Sequence, residues 1–225
     1  MSRRSRLVIP GLPHHITQRG CRRQDIFFND RDREVYLGLL NENGAKYGVD
    51  LLTFTLMTNH VHHLMVPKKK DSLQWTLQMT HKRYAEYINA REGWTGHLWQ
   101  SRFYSSPVDN DYFWVTVRYI LQNPVKADMV GHAADYRWSN ARHLCRGEMN
   151  PHVTSDEKWT SLLGTQRNWA EWLSTEEEPE KIAVLRKSTL RDLPTGSDQF
   201  LDRLERDFGV QARAPKIGRP KVGKA

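Results

Sequence analysis

Two histidines one residue apart, His60-Val61-His62, sit inside the run LLTFTLMTNHVHHLMVP from Leu51 to Pro67. The run is rich in β-branched and apolar side chains and reads as extended structure. Residues two apart in a strand share a face, so the two imidazoles present their nitrogens side by side, either as a half-exposed polar face or as two ligands for a divalent metal. A second stretch, DYFWVTVRYILQNPVKADMV from Asp111 to Val130, places Phe113, Val117, Ile120 and Leu121 at helical spacing. Tyr119 lies off the stripe of Phe113 and Val117, and Asn123 follows it by four residues on the same side. Pro124 disfavours helical geometry at Asn123 and is expected to end the helix there. A phenol and an amide one turn apart can reach one ion or one phosphate. His63 points away from the His60/His62 pair and reads as structural or surface. His14 and His15 are adjacent, face opposite ways, and read as surface or DNA-contacting residues.

The elements that must position these residues follow from the pattern. A short strand, His14 to Gln18, is closed by Gly20. Asn29 or Asp30 can cap a helix from about Arg31 to Tyr47, with Val35, Tyr36, Leu39 and Leu40 inward and Gly48 as its stop. The strand Leu51 to Leu56 turns at Thr58-Asn59 and returns through His60 to Val66 as an antiparallel hairpin. A helix over Ser72 to Arg91 buries Leu73, Leu77, Tyr84 and Ile88, and a last strand is expected at Ser105 to Val108. The tyrosine helix, Tyr112 to Gln122, has Asp109, Asn110 or Asp111 as cap. This order predicts an α+β sandwich. From about Asn150 the character changes, and the expected division is a catalytic domain over 1–148, a helical C-terminal extension over 149–209 and a basic tail over 210–225. In the extension, Trp159, Leu162, Leu163, Trp169, Trp172 and Leu173 suggest one or two short helices, and Phe200, Leu201, Leu204 and Phe208 another, capped near Ser197 or Asp198. The tail, too polar to pack, is expected to be mobile.

Composition narrows the partners. Thirty-four Lys and Arg against 26 Asp and Glu give a net charge of +8, a surface attractive to polyanions, and 8 Trp and 8 Tyr could stack on unpaired bases. Two cysteines, Cys21 and Cys145, are too few for a disulfide framework and point to a reducing cytoplasm. No long apolar run predicts a membrane span, and the basic start MSRRSR has no signal-peptide core behind it. Candidate nucleic-acid contacts are Arg3 and Arg4 of the arm, Arg19, Arg22 and Arg23 of the RGCRR loop, Lys68 and Lys69 after the histidine strand, and Lys82 and Arg83 off the buried stripe of their helix. Trp99 and Arg102 of the aromatic loop and Arg219 and Lys221 of the tail complete the set. Each has a plainer reading as a solvated charge or as packing.

Together, His60-Val61-His62 and Tyr119 with Asn123-Pro124-Val125 resemble the HUH single-tyrosine transposases, and among them the REP-associated tyrosine transposases. Gln18-Arg19-Gly20, Phe27, Asp30, Asp32, Arg33, the run Gly96 to Phe103 and Trp138-Ser139 extend the resemblance over roughly residues 8 to 145. It implies a ferredoxin-like antiparallel sheet with the tyrosine helix laid across it. It further implies that Tyr119 forms a covalent 5′-phosphotyrosine and that His60, His62 and Asn123 hold Mg²⁺ or Mn²⁺. The implied substrate is single-stranded or hairpin DNA, rejoined without any nucleotide cofactor. Asn123 stands where insertion-sequence relatives carry Gln, and with the extension this favours a monomer using its own tyrosine. Two other classes remain at this stage: a palindrome-binding regulator, which needs no Tyr119, and a metal-dependent nuclease using water on RNA or DNA.

Overall fold

The computed structural model describes residues 6–175 and 178–214. Arg3, Arg4, Arg219 and Lys221 lie outside the described residues. The chain runs β1 (His14–Arg19), α1 (Asp30–Tyr47), β2 (Val49–Met57), β3 (His60–Pro67), α2 (Ser72–Glu92), β4 (Tyr104–Pro107) and α3 (Asn110–Lys126). The strands form one antiparallel sheet in the order β2-β3-β1-β4. A βαββαβ chain with that order is the ferredoxin-like arrangement expected from the sequence.

Period-2 alternation divides the sheet's side chains between two cores. Ile16, Phe54, Leu56, Val61 and Met65 face α1 and α2, packing with Tyr36, Leu37, Leu40, Leu73, Leu77, Tyr84 and Ile88. Leu52, Leu64 and Val66 face the other way, onto Phe113, Val117, Ile120 and Leu121 of α3. Helix α1 starts on a capping box between Asn29 and Asp32 and stops at Gly48 in the left-handed region. Asp109 caps α3 by accepting from the Tyr112 amide.

One expected boundary is wrong, for an identifiable reason. Helix α3 does not end at Asn123 but continues through Pro124 to Lys126. Proline cannot donate to the carbonyl of Ile120 four residues back, and the hydroxyl of Thr55 on β2 donates to that carbonyl instead, at 2.8 Å. The sheet thus supplies the missing bond and pins the tyrosine helix against itself.

Among the described residues five more α-helices follow: α4 (Ala141–Arg146), α5 (Glu157–Gly164), α6 (Trp169–Ser174), α7 (Pro179–Thr189) and α8 (Asp198–Phe208). Trp159, Leu163, Trp169, Leu173, Ile182 and Leu185 share the core of α3, so the extension covers the tyrosine-helix face of the sheet. Helix α7 has no counterpart among the helices expected from the sequence. Ser197 caps α8 as expected. The start of the tail packs, contrary to expectation: Ala212 is buried beside Ile9, Phe200 and Leu204, and Arg213 pairs with Asp198, Asp202 and Glu205. No helix among the described residues is long and apolar enough to cross a membrane.

Candidate active site on the tyrosine-helix face

Strand register assembles the site. Thr17 of β1 and Thr55 of β2 both lie opposite His62, while Arg19 and Met57 lie opposite His60. All these residues therefore share the face that α3 crosses. The rings of His60 and His62 are 5.0 Å apart, and the His62 ring meets Tyr119 of α3 edge-on at 5.5 Å. The structure thus brings together residues that are 57 and more positions apart in the chain. Asn123, one turn beyond Tyr119, donates its amide to the Tyr119 carbonyl at 2.5 Å, so its side-chain oxygen is the atom left to meet a cation.

His15 is the principal addition. Its ring lies nearly coplanar with that of His62, centres 5.3 Å apart and planes 4° apart, and meets Tyr119 edge-on at 5.6 Å. His15 Nε2 is 3.0 Å from His62 Nδ1, and His15 Nδ1 is 2.9 Å from the Thr189 hydroxyl of α7. Neither neighbour in the His14-His15 pair is a surface residue. His14 is buried, with Nδ1 against the Leu12 carbonyl and Nε2 accepting from the Ile9 amide. The two rings do face opposite ways, but both faces of this sheet are covered, so opposite does not mean outward.

Electrostatics favour neutral imidazoles beside a cationic rim. Burial lowers His15 to about 3, and burial with the Arg19 charge behind it lowers His60 to about 3. Burial first, then the surrounding histidines and Arg19, hold His62 well below the ordinary histidine range. Arg186 of α7 donates Nε to the Tyr119 hydroxyl at 3.3 Å, and the Lys126 ammonium stands 5.2 Å from the Tyr119 ring centre. Arg19 is held near Tyr119 by the same register, and burial followed by repulsion from Arg23 lowers its guanidinium from the ordinary value. These cations complement an anionic phosphodiester.

The donor set fits a divalent metal. Asn59 donates its amide NH₂ to the Arg23 carbonyl, so its oxygen faces His60 Nδ1 at 2.7 Å and can only accept. His60 therefore carries its proton on Nδ1 and presents the Nε2 lone pair, with Asn59 as the outer partner that orients a ligating imidazole. Among the described residues no three His, Cys, Asp or Glu side chains form a ligand cluster. The candidate set is the two imidazoles, with the Asn123 amide one helical turn beyond Tyr119, neutral donors of a kind that suits Mn²⁺ as well as Mg²⁺.

The expected DNA contacts divide sharply. Arg22 and Arg23 form a short turn locked to the hairpin tip, since Gly20 donates to the Asn59 carbonyl and Ile26 to that of Thr58. Gly20 itself is obligatory, because a Cβ there would lie 2.3 Å from the Gln24 carbonyl oxygen. This basic turn borders the His60 end of β3. Lys68 and Lys69 follow the opposite end of β3, roughly 25 Å away at about 3.3 Å per residue, and Lys68 pairs with Asp50. They do not sit beside the histidines. Lys82 and Arg83 lie on α2, across the sheet, paired with Glu86 and Glu42. Trp99 is a packing residue: its ring contacts His81 at 4.4 Å and its indole donates to the His81 carbonyl. Arg102 is exposed at a cavity of about 440 Å³ that Arg6, Gln18 and Trp99 also line. Asp30 and Asp32 are structural, Asp30 accepting from Arg137 and Trp138 and Asp32 closing the α1 capping box.

Residues 9–123, just over half of the chain, match the model of the family described as "Transposase IS200 like". The chain belongs to that family. A solved structure described as a REP-associated tyrosine transposase bound to a REP hairpin superimposes with a TM-score of 0.57 at 19% identity, covering 69% of this chain and 93% of that one. A second, of a protein assigned as a transposase from Deinococcus radiodurans R1, gives a TM-score of 0.38 at 16% identity over 54% of this chain and 97% of that one. Curated protein sequences give no match. The family match ends at Asn123, so α7, with Arg186 and Thr189, lies beyond it.

Proposed function

We propose that the chain is a metal-dependent endonuclease and strand transferase for single-stranded, hairpin-forming DNA, of the REP-associated kind, with Tyr119 as nucleophile. The observation that carries this reading is the convergence of Tyr119 with His60 and His62 on one sheet face, at the edge of a basic turn. The likeness to a hairpin-bound transposase supports the choice of substrate.

In the proposed reaction the Tyr119 Oη attacks the scissile phosphorus, an O–P bond forms to the phenol oxygen and the bond from phosphorus to the 3′-oxygen breaks. The phenol proton is lost and the departing 3′-oxygen gains one, so a 5′-phosphotyrosine and a free 3′-hydroxyl result. A second 3′-hydroxyl reverses the step and rejoins DNA, conserving the ester without a nucleotide cofactor. Arg186, already bonded to the Tyr119 oxygen, and Lys126 offset negative charge at the transferring phosphoryl group. His60, His62 and the Asn123 oxygen would hold Mg²⁺ or Mn²⁺, which supplies Lewis-acid polarisation of the phosphate. Tyr119, only 5% exposed, is better reached by the phosphate of an unpaired strand than by that of a stiff duplex. The protein acts as a monomer, because its own Tyr119 already faces its own histidines.

The test is incubation with end-labelled hairpin DNA bearing single-stranded flanks, with Mn²⁺, followed by a denaturing gel. A protein-linked band that disappears in Tyr119→Phe is expected. Cleavage that survives Tyr119→Phe would instead establish water as nucleophile, and binding without cleavage would establish a regulator.

A further inference from the structure

Four polar groups run from α7 to the candidate metal ligand His62. The Thr189 hydroxyl lies 2.8 Å from the Leu185 carbonyl and 2.9 Å from His15 Nδ1, and His15 Nε2 lies 3.0 Å from His62 Nδ1. Thr189, His15 and His62 are all buried, so no bulk water competes for these bonds. A carbonyl oxygen can only accept, so the single hydroxyl proton of Thr189 goes to Leu185. The Thr189 oxygen must then accept from His15, which puts the His15 proton on Nδ1 and leaves Nε2 as a lone pair. That lone pair must accept from His62, which puts the His62 proton on Nδ1 as well. Every bond in the row then has one proton, and reversing any member leaves two lone pairs facing each other.

We propose that Thr189 and His15 are positioning residues that fix His62 in its Nδ1–H tautomer, so that its Nε2 lone pair faces the site. The inference deepens the reading of His62 as a metal ligand and rests on it for its use, though not for the tautomer itself. His60 reaches the same tautomer through Asn59, so the two imidazoles are prepared by separate devices, one within the hairpin and one delivered by the C-terminal extension. The extension thereby contributes to the chemistry of a strand that precedes it by more than a hundred residues. Sequence offers no sign of this, because Thr189 is an ordinary hydroxyl at a helix end.

Long-range proton–nitrogen correlation spectra of protein with ¹⁵N-labelled histidine, without metal at pH 7, show which nitrogen of each ring carries the proton. Nδ1–H is expected for both His15 and His62, and the wild-type spectrum alone decides this: Nε2–H at His62 overturns the proposal. Thr189→Val removes the hydroxyl at similar volume, so His15 loses its acceptor, and both rings are expected to switch to Nε2–H. Thr189→Ser keeps the wild-type pattern. Unchanged His63 and His81 signals certify the fold of each variant. Titration with Mn²⁺, followed by the spin resonance of free Mn²⁺, is expected to show affinity lower by tenfold or more in Thr189→Val and unchanged in Thr189→Ser. Switched tautomers with unchanged Mn²⁺ affinity overturn the positioning role. The expected tautomers in a wild-type protein that takes up no Mn²⁺ leave the tautomer assignment standing and remove the metal from the proposed function.

Discussion

Each face of the sheet carries a tyrosine between two histidines, and in only one of the two arrangements is the hydroxyl bonded to a cation. On the α1/α2 face, the Tyr36 hydroxyl lies 3.0 Å from His63 Nε2 and 3.2 Å from His81 Nε2, donating to one and accepting from the other. On the α3 face, Tyr119 meets His15 and His62 through ring edges, and its hydroxyl is turned to Arg186. Tyr36 is fully buried, and burial raises its phenol well above the ordinary tyrosine range. Tyr119 keeps a small exposed surface and a guanidinium at its oxygen. One tyrosine and two histidines thus make a closed polar knot on one side and, on the other, a phenol with cationic neighbours. What separates them is where the hydroxyl points, and whether a phosphate can reach it.

The largest expected effect follows directly. Tyr119→Phe should remove the covalent DNA adduct completely while leaving stability within about 1 kcal/mol of wild type, since its hydroxyl makes one long, part-buried hydrogen bond to a cation. An adduct that persists in Tyr119→Phe and vanishes in Tyr36→Phe would invert the comparison. Mapping the adduct to a tryptic peptide distinguishes the two tyrosines without any substitution.

Much of the fold was legible in the sequence, and the reasons are local. Helix α1 has its capping box and glycine stop, and the β2–β3 hairpin has alternating apolar residues on either side of Thr58-Asn59. The pairing of Tyr119 with His60 and His62 was legible only through their combined resemblance to a family, because no periodicity states which strands a helix crosses. His15 was misplaced for a related reason: alternation shows that His14 and His15 diverge, but not that α3 with α7 covers one face and α1 with α2 the other. Helix α7 left little trace, since its buried residues reduce to Ile182, Leu185 and Thr189 among charged neighbours. The continuation of α3 past Pro124 depends on a hydroxyl some seventy residues earlier, a tertiary contact that local rules cannot anticipate. Tryptophan count misled in the same way: Trp159 and Trp169 fill the core behind α3, and Trp99 packs on His81.

The two faces should look alike to acid even though they differ in chemistry. Burial, joined at His60 by the Arg19 charge, lowers His15, His60, His63 and His81 to about 3 and His14 to about 4, and holds His62 well below its ordinary value. Above pH 6.5 these rings are neutral in both folded and unfolded chains and contribute no pH dependence. Below it, the unfolded chain takes up protons that the native protein refuses, so stability falls as pH drops toward the folded values. Each ring contributes about 1.4 kcal/mol per pH unit. Six together amount to about 8 kcal/mol per unit, comparable with the whole stability of a domain. Metal-free protein should therefore unfold cooperatively between about pH 6 and 4.5, with a slope corresponding to about six protons. Replacing His63 or His15 by Gln should lower that slope by one in either case; a drop for one face alone would show that the other is already open to water.

Tyr36→Phe gives a smaller, purely structural effect. It leaves His63 and His81 without their shared hydroxyl, and His63 already has no partner for Nδ1. A loss of about 1–3 kcal/mol in denaturant unfolding is expected, with the adduct yield unchanged at temperatures where the variant is folded. A loss of adduct in folded Tyr36→Phe would couple the two faces through the sheet.

The smallest effect concerns which face carries the DNA. Arg19 lies opposite His60 beside Tyr119, whereas Lys82 and Arg83 lie across the sheet in pairs with Glu86 and Glu42. Each cation that neutralises a phosphate of a single strand releases counterions and steepens the salt dependence of binding by about 0.7 in the logarithmic slope. A cation paired on the far face releases none. Arg19→Gln should therefore flatten the slope for hairpin DNA with single-stranded flanks by about one such step, measured by fluorescence anisotropy from about 50 to 200 mM salt. Lys82→Gln and Arg83→Gln should leave it unchanged. The opposite result would lay the strand over α1 and α2, on the side of the sheet where the Tyr36 hydroxyl is sealed between two histidines.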